Sequence, residues 1–402
     1  MIGVAVMGCG VVGSGVVEML IENQKILTGT VGDELRVLYM LDLRDMAVPE
    51  GVILTKNFED ILADERVQIV AETMGGTKFA YPYTKKCLEA GKHVVTSNKE
   101  LVADYGDELL AVAKAHNVSY LYEASTGGGI PIIRPIRQDL RGNALTEING
   151  IVNGSTNYLL TEMREKGVSF PAALGEAKRL GYVEADPAAD VEGWDARRKL
   201  AILANTAFGG KLSDNHLIPT TGISAVTEGD MQAAAAFGGA IKLIAHAQLS
   251  EDGESWTGWV HPCFVPSNHP LYNVNDVFNG IMVHGNFVDD VMFFGRGAGS
   301  KPTASAVVGD IVEAAQSLSA PRKYLEFESA VAFDAASSAP RRMLVRFTGD
   351  ENAVKAALPG CEIRVCGEEK AVLTGCAPAD ELEKVLDSLS ASVSLGAPLY
   401  VL

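Results

Sequence analysis

The sequence has little that would build a secreted or membrane protein. Its six cysteines, Cys9, Cys87, Cys263, Cys361, Cys366 and Cys376, form no CxxC pair and are scattered over 402 residues. That scatter speaks against a disulfide framework and for reduced cytoplasmic thiols. No apolar run reaches the roughly 18 residues needed to cross a bilayer, so no membrane partner is expected. The opening, MIGVAVMGCG, lacks the basic stretch of a signal peptide and is expected to be a first strand. Positive charge is in deficit: 34 Lys and Arg stand against 51 Asp and Glu, a net charge of −17. A nucleic-acid partner is not expected, because the field of the whole molecule repels phosphate; a local pocket for a small anion stays open. Low-complexity linkers and short internal repeats are also absent, which argues against a solenoid.

What is present is ordinary globular material, 47% apolar and 21% charged. A chain of 402 residues exceeds the size at which one core stops growing, so two or three domains are expected. In the first part, strand-like runs (IGVAVMG, RVLYMLD, QIVAETM, HVVTSN, SYLYEAS) alternate with helical ones (VGSGVVEMLIEN, YPYTKKCLEAG, YGDELLAVAKAHN). Such alternation implies a doubly wound parallel sheet of the Rossmann type, an α/β domain over residues 1–130 completed by about 300–320. Residues 131–299 mix long helices with strand-like TEINGIVNG, SWTGWVHPCFV and GIMVHGNFVDDVMFFG, and suit a second, α+β domain. Residues 340–402 read as strand, helix, strand, strand, helix, strand, the order of a small ferredoxin-like domain.

Gly8-Cys9-Gly10-Val11-Val12-Gly13 fits G-x-G-x-x-G directly after the first strand, with Ser14-Gly15-Val16 opening a helix. Glycines there permit a tight turn and a close approach to a pyrophosphate, which the helix N-terminus attracts. Strand, turn and helix in that order make a dinucleotide site the better reading than a bare turn. The second strand ends MLDLRD. Asp42 could accept from the ribose 2′-hydroxyl of NAD, and Arg44 could pair with the 2′-phosphate of NADP, so both carriers stay open.

Gly181 to Lys199, GYVEADPAADVEGWDARRK, is the best candidate for a partner site. Glu184, Asp186 and Asp190 fall in a stretch expected to be loop, and Asp195 and Lys199, four apart, share a face of the helix that follows. Alone, an Asp–Lys pair at that spacing is a surface salt bridge worth a few tenths of a kcal/mol. Its place after a carboxylate-rich loop favours function. Reducing a carbonyl puts negative charge on oxygen, which needs a cation and a proton. A lysine supplies both.

With these segments in hand, the chain resembles the homoserine dehydrogenase family. The matching stretches are GCGVVGSGV, VVTSNKELVA (94–103), EASTGGGIPII (123–133), IVNGSTNYLL (151–160), LGYVEADPAADVEGWDARRKLAILA (180–204) and GRGAGSKPTASAVVGDIV (295–312). The resemblance implies reversible NAD- or NADP-dependent interconversion of L-aspartate 4-semialdehyde and L-homoserine, towards threonine and methionine. It implies Lys199 as the proton donor, with Lys99 and Asp195 also catalytic, and Gly181, Glu184 and Asp190 lining the substrate site. Gly8, Gly10, Val11, Val12, Gly13, Thr73, Ser97, Lys99 and Gly297 would meet the cofactor, as would Asp42 and Arg44. A monovalent-cation site, for sodium, would use Glu123 and carbonyls near Thr126, Gly128 and Ile130. A homodimer or homotetramer in the cytoplasm is implied as well.

The chain departs from the family in two places. The tail resembles an ACT domain in strand order, but its loop RFTGDENAVKAAL lacks the Pro-Gly turn of an effector site, which puts threonine feedback in doubt. Leu41 stands where a basic residue often precedes the acidic one at the end of the second strand, which weakens a preference for NADP. Two competing readings are an acylating semialdehyde dehydrogenase, which needs a cysteine at the nicotinamide, and a dinucleotide sensor without catalysis.

Overall fold

The computed structural model describes residues 1–183, 186–318, 330–335, 339–390 and 393–402. Glu184 therefore lies outside the described residues. The chain folds as two compact units, one of Met1–Thr146, Arg198–His216 and His284–Ala332, the other of Glu147–Arg197, Leu217–Val283 and Phe333–Leu402.

The first unit is built on six strands: β1 (Ile2–Met7), β2 (Leu35–Leu41), β3 (Ile53–Thr55), β4 (Val67–Glu72), β5 (His93–Thr96) and β6 (Tyr120–Leu121). They pair in the order β3-β2-β1-β4-β5-β6, every neighbour parallel. That is the doubly wound order expected from the alternating runs, with its ligand crevice at the carboxyl ends of the strands where the order reverses beside β1. All six residues of β1 are buried, because both faces of a parallel sheet are covered. Val4, Val6, Ile69 and Val95 pack with Val16 and Leu20 of the helix Val11–Glu22 and with Val307 and Ile311 of the helix Ser300–Gln316. A segment some three hundred residues from the start thus closes the same core.

In the second unit, Leu145–Ile151 pairs antiparallel with Gly239–Leu249, and that strand with Ser255–Pro266. Leu399–Val401 joins Ser255–Pro266 in parallel and continues the sheet into the tail. There Met343–Gly349, Glu362–Cys366, Glu369–Leu373 and the last strand lie in the order fourth, first, third, second, all antiparallel. This is the ferredoxin-like order read from the sequence. The last strand is in two pieces, Val393–Leu395 and Leu399–Val401, broken at Gly396-Ala397-Pro398, where proline offers no N–H to the ladder. Leu382, Leu386 and Leu389 form one apolar stripe of the helix Ala379–Leu389 and pack on Met343, Val345 and Phe347. After the first tail strand, Asp350 caps the helix Glu351–Ala357 through Asn352 N–H at 2.8 Å.

Some boundaries differ from those the sequence suggests. The helix expected from Tyr105 begins at Lys99, because Asn98 caps it, accepting from Leu101 N–H at 3.1 Å. The run GIMVHGNFVDDVMFFG is two strands, Phe278–Gly285 and Asp289–Arg296. The stretch before Trp194, expected to be all loop, holds a one-turn helix, Ala188–Val191, entered through Pro187.

Candidate active site

Each glycine of the first turn has its own reason. Gly8 sits at φ +88°, and a Cβ there would meet Met74 N at 2.8 Å. A Cβ on Gly13 would lie 2.1 Å from Gly8 O and 2.6 Å from Thr73 Oγ1. Gly10 has no atom within 4 Å of where its Cβ would stand, so that position faces open space. The first and third glycines serve turn and packing, and the second leaves room for a ligand. The helix Val11–Glu22 starts at Gly10 with no side-chain cap and no acid in its first turn, leaving its leading N–H groups for an anion. Val11 is exposed, while Val12 packs against the core.

Asp42 and Arg44, candidates for opposite carriers, pair with each other. Arg44 Nε and Nη2 each donate at 2.9 Å to the two oxygens of Asp42, and Cys9 N–H donates to Asp42 at 3.0 Å. The guanidinium hydrogen bonds hold the Asp42 carboxyl well below the usual carboxylate range. Arg44 also donates to Cys9 O at 3.1 Å, so the pair lies against the glycine turn.

Thr73 braces that turn: its N–H donates to Met7 O at 2.8 Å and its hydroxyl to Gly8 O at 2.7 Å. The neighbouring Glu72 is wholly buried, and its carboxylate accepts from Met74 N–H at 2.8 Å and Thr96 Oγ1 at 2.5 Å. Burial pushes its pKa up to about 7. Ser97 N–H donates to Glu72 O at 3.3 Å. Asn98 Nδ2 donates to Gly76 O at 2.7 Å, fixing the start of the helix on which Lys99 is the first residue. Sequence reasoning missed Glu72 and Asn98. An N-cap signature was available for Asn98; burial of a strand-end carboxylate leaves no trace in a sequence.

Lys199 lies in the same compact unit as the glycine turn and Lys99, and only 8% of it is exposed. Its neighbour Arg198 pairs with Glu100, the residue after Lys99, at 3.1 Å. The helices that carry the two lysines are thus tied together at the residues beside them. Asp107 strengthens the arrangement by accepting from Leu212 and Ser213 N–H, and Asn215 donates to Ala103 O.

In the other unit, Asp195 is 2% exposed and joins Asp190 around one amide. Asn153 Nδ2 donates to Asp190 Oδ1 at 2.7 Å and to Asp195 Oδ2 at 2.8 Å. Its Oδ1 accepts from Thr156 N–H at 2.8 Å and so caps the helix Gly154–Lys166. Gly181 ends the helix Phe170–Leu180 at φ +75°, and Ser155 Oγ donates to the next carbonyl, Tyr182 O, at 2.8 Å. Sequence reasoning did not single out Asn153, since a neutral amide carries no charge pattern.

The Glu123 carboxylate accepts from Ile132, Ile133 and Arg134 N–H at 2.6, 2.9 and 2.6 Å. These bonds tie the carboxylate to the start of the helix Ile133–Arg137. Neutral carbonyl oxygens are hard donors that suit an alkali cation. Gly128, at φ +58°, presses on Gly297: a Cβ there would lie 2.3 Å from Gly297 O. Among the described residues, no three His, Cys, Asp or Glu side chains gather to hold a metal ion, and no helix is long and apolar enough to cross a membrane.

The cysteine reading fails on burial. Cys9, in the glycine turn, is 3% exposed and burial pushes its thiol up to about 12. Burial also holds Cys263 well above the ordinary thiol range. Neither is poised to form a thiolate.

Comparison with known proteins agrees with this geometry. The family model described as the NAD-binding domain of homoserine dehydrogenase matches residues 8–123, and that described as homoserine dehydrogenase matches 131–312. A homoserine dehydrogenase of Synechocystis is 42% identical over 314 residues, 77% of this chain and 72% of that protein. A crystal structure of a homoserine dehydrogenase from Thiobacillus denitrificans is similar with a TM-score of 0.92 and 32% identity, covering 100% of this chain and 98% of that one. A hyperthermophilic archaeal homoserine dehydrogenase solved with NADPH is similar at a TM-score of 0.67 and 27% identity, over 80% of this chain and 99% of its own. The turn built for a dinucleotide is therefore that of an NAD(P)-dependent oxidoreductase, and this chain belongs to the homoserine dehydrogenase family.

Proposed function

We propose that the family's reaction, L-aspartate 4-semialdehyde to L-homoserine and back, runs on this chain with Lys199 as the proton donor to the substrate oxygen. The bound dinucleotide supplies or takes up the hydride. The chain's own residues do the rest. Lys199 Nζ meets the charge that develops on the oxygen and gives it a proton in reduction, and it receives the hydroxyl proton in oxidation. Lys99, at the start of its helix, adds a second positive charge to the oxygen's surroundings. Asp195, one turn before Lys199, orients it or the substrate hydroxyl. Asp190, with Gly181 and Glu184, receives the amino-acid end of the substrate, whose ammonium pairs with carboxylate. The observation that carries this reading is the burial of Lys199 in the unit that holds the glycine turn, its helix tied to that of Lys99 by Arg198 and Glu100.

Gly8 to Gly13 hold the pyrophosphate, with Thr73, Ser97 and Gly297 flanking the cofactor. The carrier is NAD or NADP: Asp42 suits a ribose 2′-hydroxyl and Arg44 a 2′-phosphate, and either would have to release the other residue. A monovalent cation such as sodium would be held by Glu123 and the backbone carbonyls near Thr126, Gly128 and Ile130. The protein works in the cytoplasm as a homodimer or homotetramer, which light scattering checks.

Steady-state oxidation of L-homoserine with each carrier in turn tests the reading. Homoserine-dependent reduction of at least one carrier is expected. No turnover with either, by folded protein that binds the dinucleotide, would leave only the sensor.

A further inference from the structure

Both N–H donors of the Asn153 amide and its oxygen are engaged, and the bond to the oxygen fixes where the donors point. A primary amide has two N–H donors and an oxygen with two lone pairs. Here the oxygen accepts from Thr156 N–H at 2.8 Å and stands 2.9 Å from the Thr156 hydroxyl. Because the oxygen must face Thr156 N–H, the amide cannot be turned over, and its two hydrogens must face the carboxylates. They reach Asp190 Oδ1 and Asp195 Oδ2 at 2.7 and 2.8 Å. The side chain is 5% exposed, so water does not replace either bond at low cost.

Three separate pieces of chain meet at this one group. Asn153 follows the strand Leu145–Ile151, Asp190 sits on the helical turn Ala188–Val191, and Asp195 lies in the first turn of the helix from Trp194. The link between the last two pieces turns through Gly193 at φ +81°. Two carboxylates held this near each other repel unless donors stand with them, and the Asn153 amide gives one N–H to each.

We propose that Asn153 is a positioning residue for the reaction, its single amide bridging Asp190 and Asp195 and setting the spacing between the carboxylate that receives the amino-acid end of the substrate and the one that orients Lys199 or the substrate hydroxyl. The proposal rests on the assignment of those two carboxylates to the substrate site. It separates cleanly from a capping role. Aspartate caps a helix as well as asparagine does and suits the positive end of the helix dipole. Asn153→Asp would therefore be harmless if the residue only started its helix. As a bridge it fails, because it has no N–H to give and adds a third negative charge.

The test compares wild type and Asn153→Asp by thermal melting, by NADPH fluorescence titration and by steady-state homoserine oxidation. The variant is expected to bind NADPH like wild type and to melt somewhat lower, because two buried hydrogen bonds are lost and a third carboxylate is added. Its kcat/KM for homoserine should fall roughly 100-fold, with KM for homoserine raised, kcat lowered and KM for the carrier unchanged. Folded Asn153→Asp with wild-type kcat and KM for homoserine would overturn the proposal. If that variant does not fold, Asn153→Ser decides by the same readings, since serine also caps but cannot reach both carboxylates. A wild type that does not oxidise homoserine sinks the reaction assignment; a wild type that does, matched by the variant, sinks the bridge alone.

Discussion

Arg198 and Glu100 form an ion pair of 3.1 Å, and each is the immediate neighbour of a lysine, Arg198 of Lys199 and Glu100 of Lys99. Neither partner needs to touch a substrate to matter. The pair ties two helices that sequence places a hundred residues apart, and so holds both ammonium groups to one unit of the protein.

Reversing one sign of that pair should separate the lysines. Arg198→Glu sets like charges face to face and is expected to lower kcat for homoserine about ten-fold or more. The double reversal, Arg198→Glu with Glu100→Arg, should recover most of the loss. Steady-state kinetics of the three proteins checks this, and a double variant no better than the single one would reduce the ion pair to a surface contact.

Arg44 should discriminate between carriers. Removing it with Arg44→Ala takes away the group available to a 2′-phosphate and frees the Asp42 carboxylate, which now accepts two hydrogen bonds from the guanidinium. KM for NADP should rise roughly ten- to a hundred-fold, the range for a charged hydrogen bond, while KM for NAD stays or falls. Equal changes for both carriers would show that Arg44 only braces the turn.

Glu72 should make stability depend on pH. Its folded pKa, about 7, stands above the 4.5 of an ordinary glutamate, with burial as the main cause. Between those values the native state holds a proton that the unfolded chain has released. The stabilisation is complete below the lower value and is lost as pH rises to about 7, by up to about 3 kcal/mol. Glu72→Gln should lack that component, so the difference in melting temperature between variant and wild type should widen in the variant's favour from pH 4.5 to 7. A constant difference across that range would show that Glu72 stays ionised when folded.

Much of this was legible in the sequence. The glycine turn declared itself because Gly8 and Gly13 answer to backbone clashes and Gly10 to open space, and such steric demands leave glycine as the residue that fits. The parallel sheet followed from alternating apolar runs, and the tail's order from its periodicity. The residues that arrange the site were less visible. Asn98 and Asn153 each sit between a strand and a helix, where an amide reads as a cap; that the Asn153 amide also bridges two carboxylates depends on a fold that brings residue 190 and residue 195 to it. Glu72 and Thr96 lie on neighbouring strands, and their contact is a matter of register. The Glu123 carboxylate accepts from the N–H groups of Ile132, Ile133 and Arg134, nine to eleven residues on, which the sequence alone does not show.

The central claim is that the Lys199 ammonium carries the proton. It is tested most directly by comparing wild type with Lys199→Ala in homoserine-dependent reduction of NADP, alongside NADPH binding by fluorescence titration. The account predicts a fall in kcat on the order of 10²- to 10⁴-fold, the range for a lost acid–base group, with NADPH affinity unchanged. A variant that turns over homoserine at the wild-type rate would contradict it.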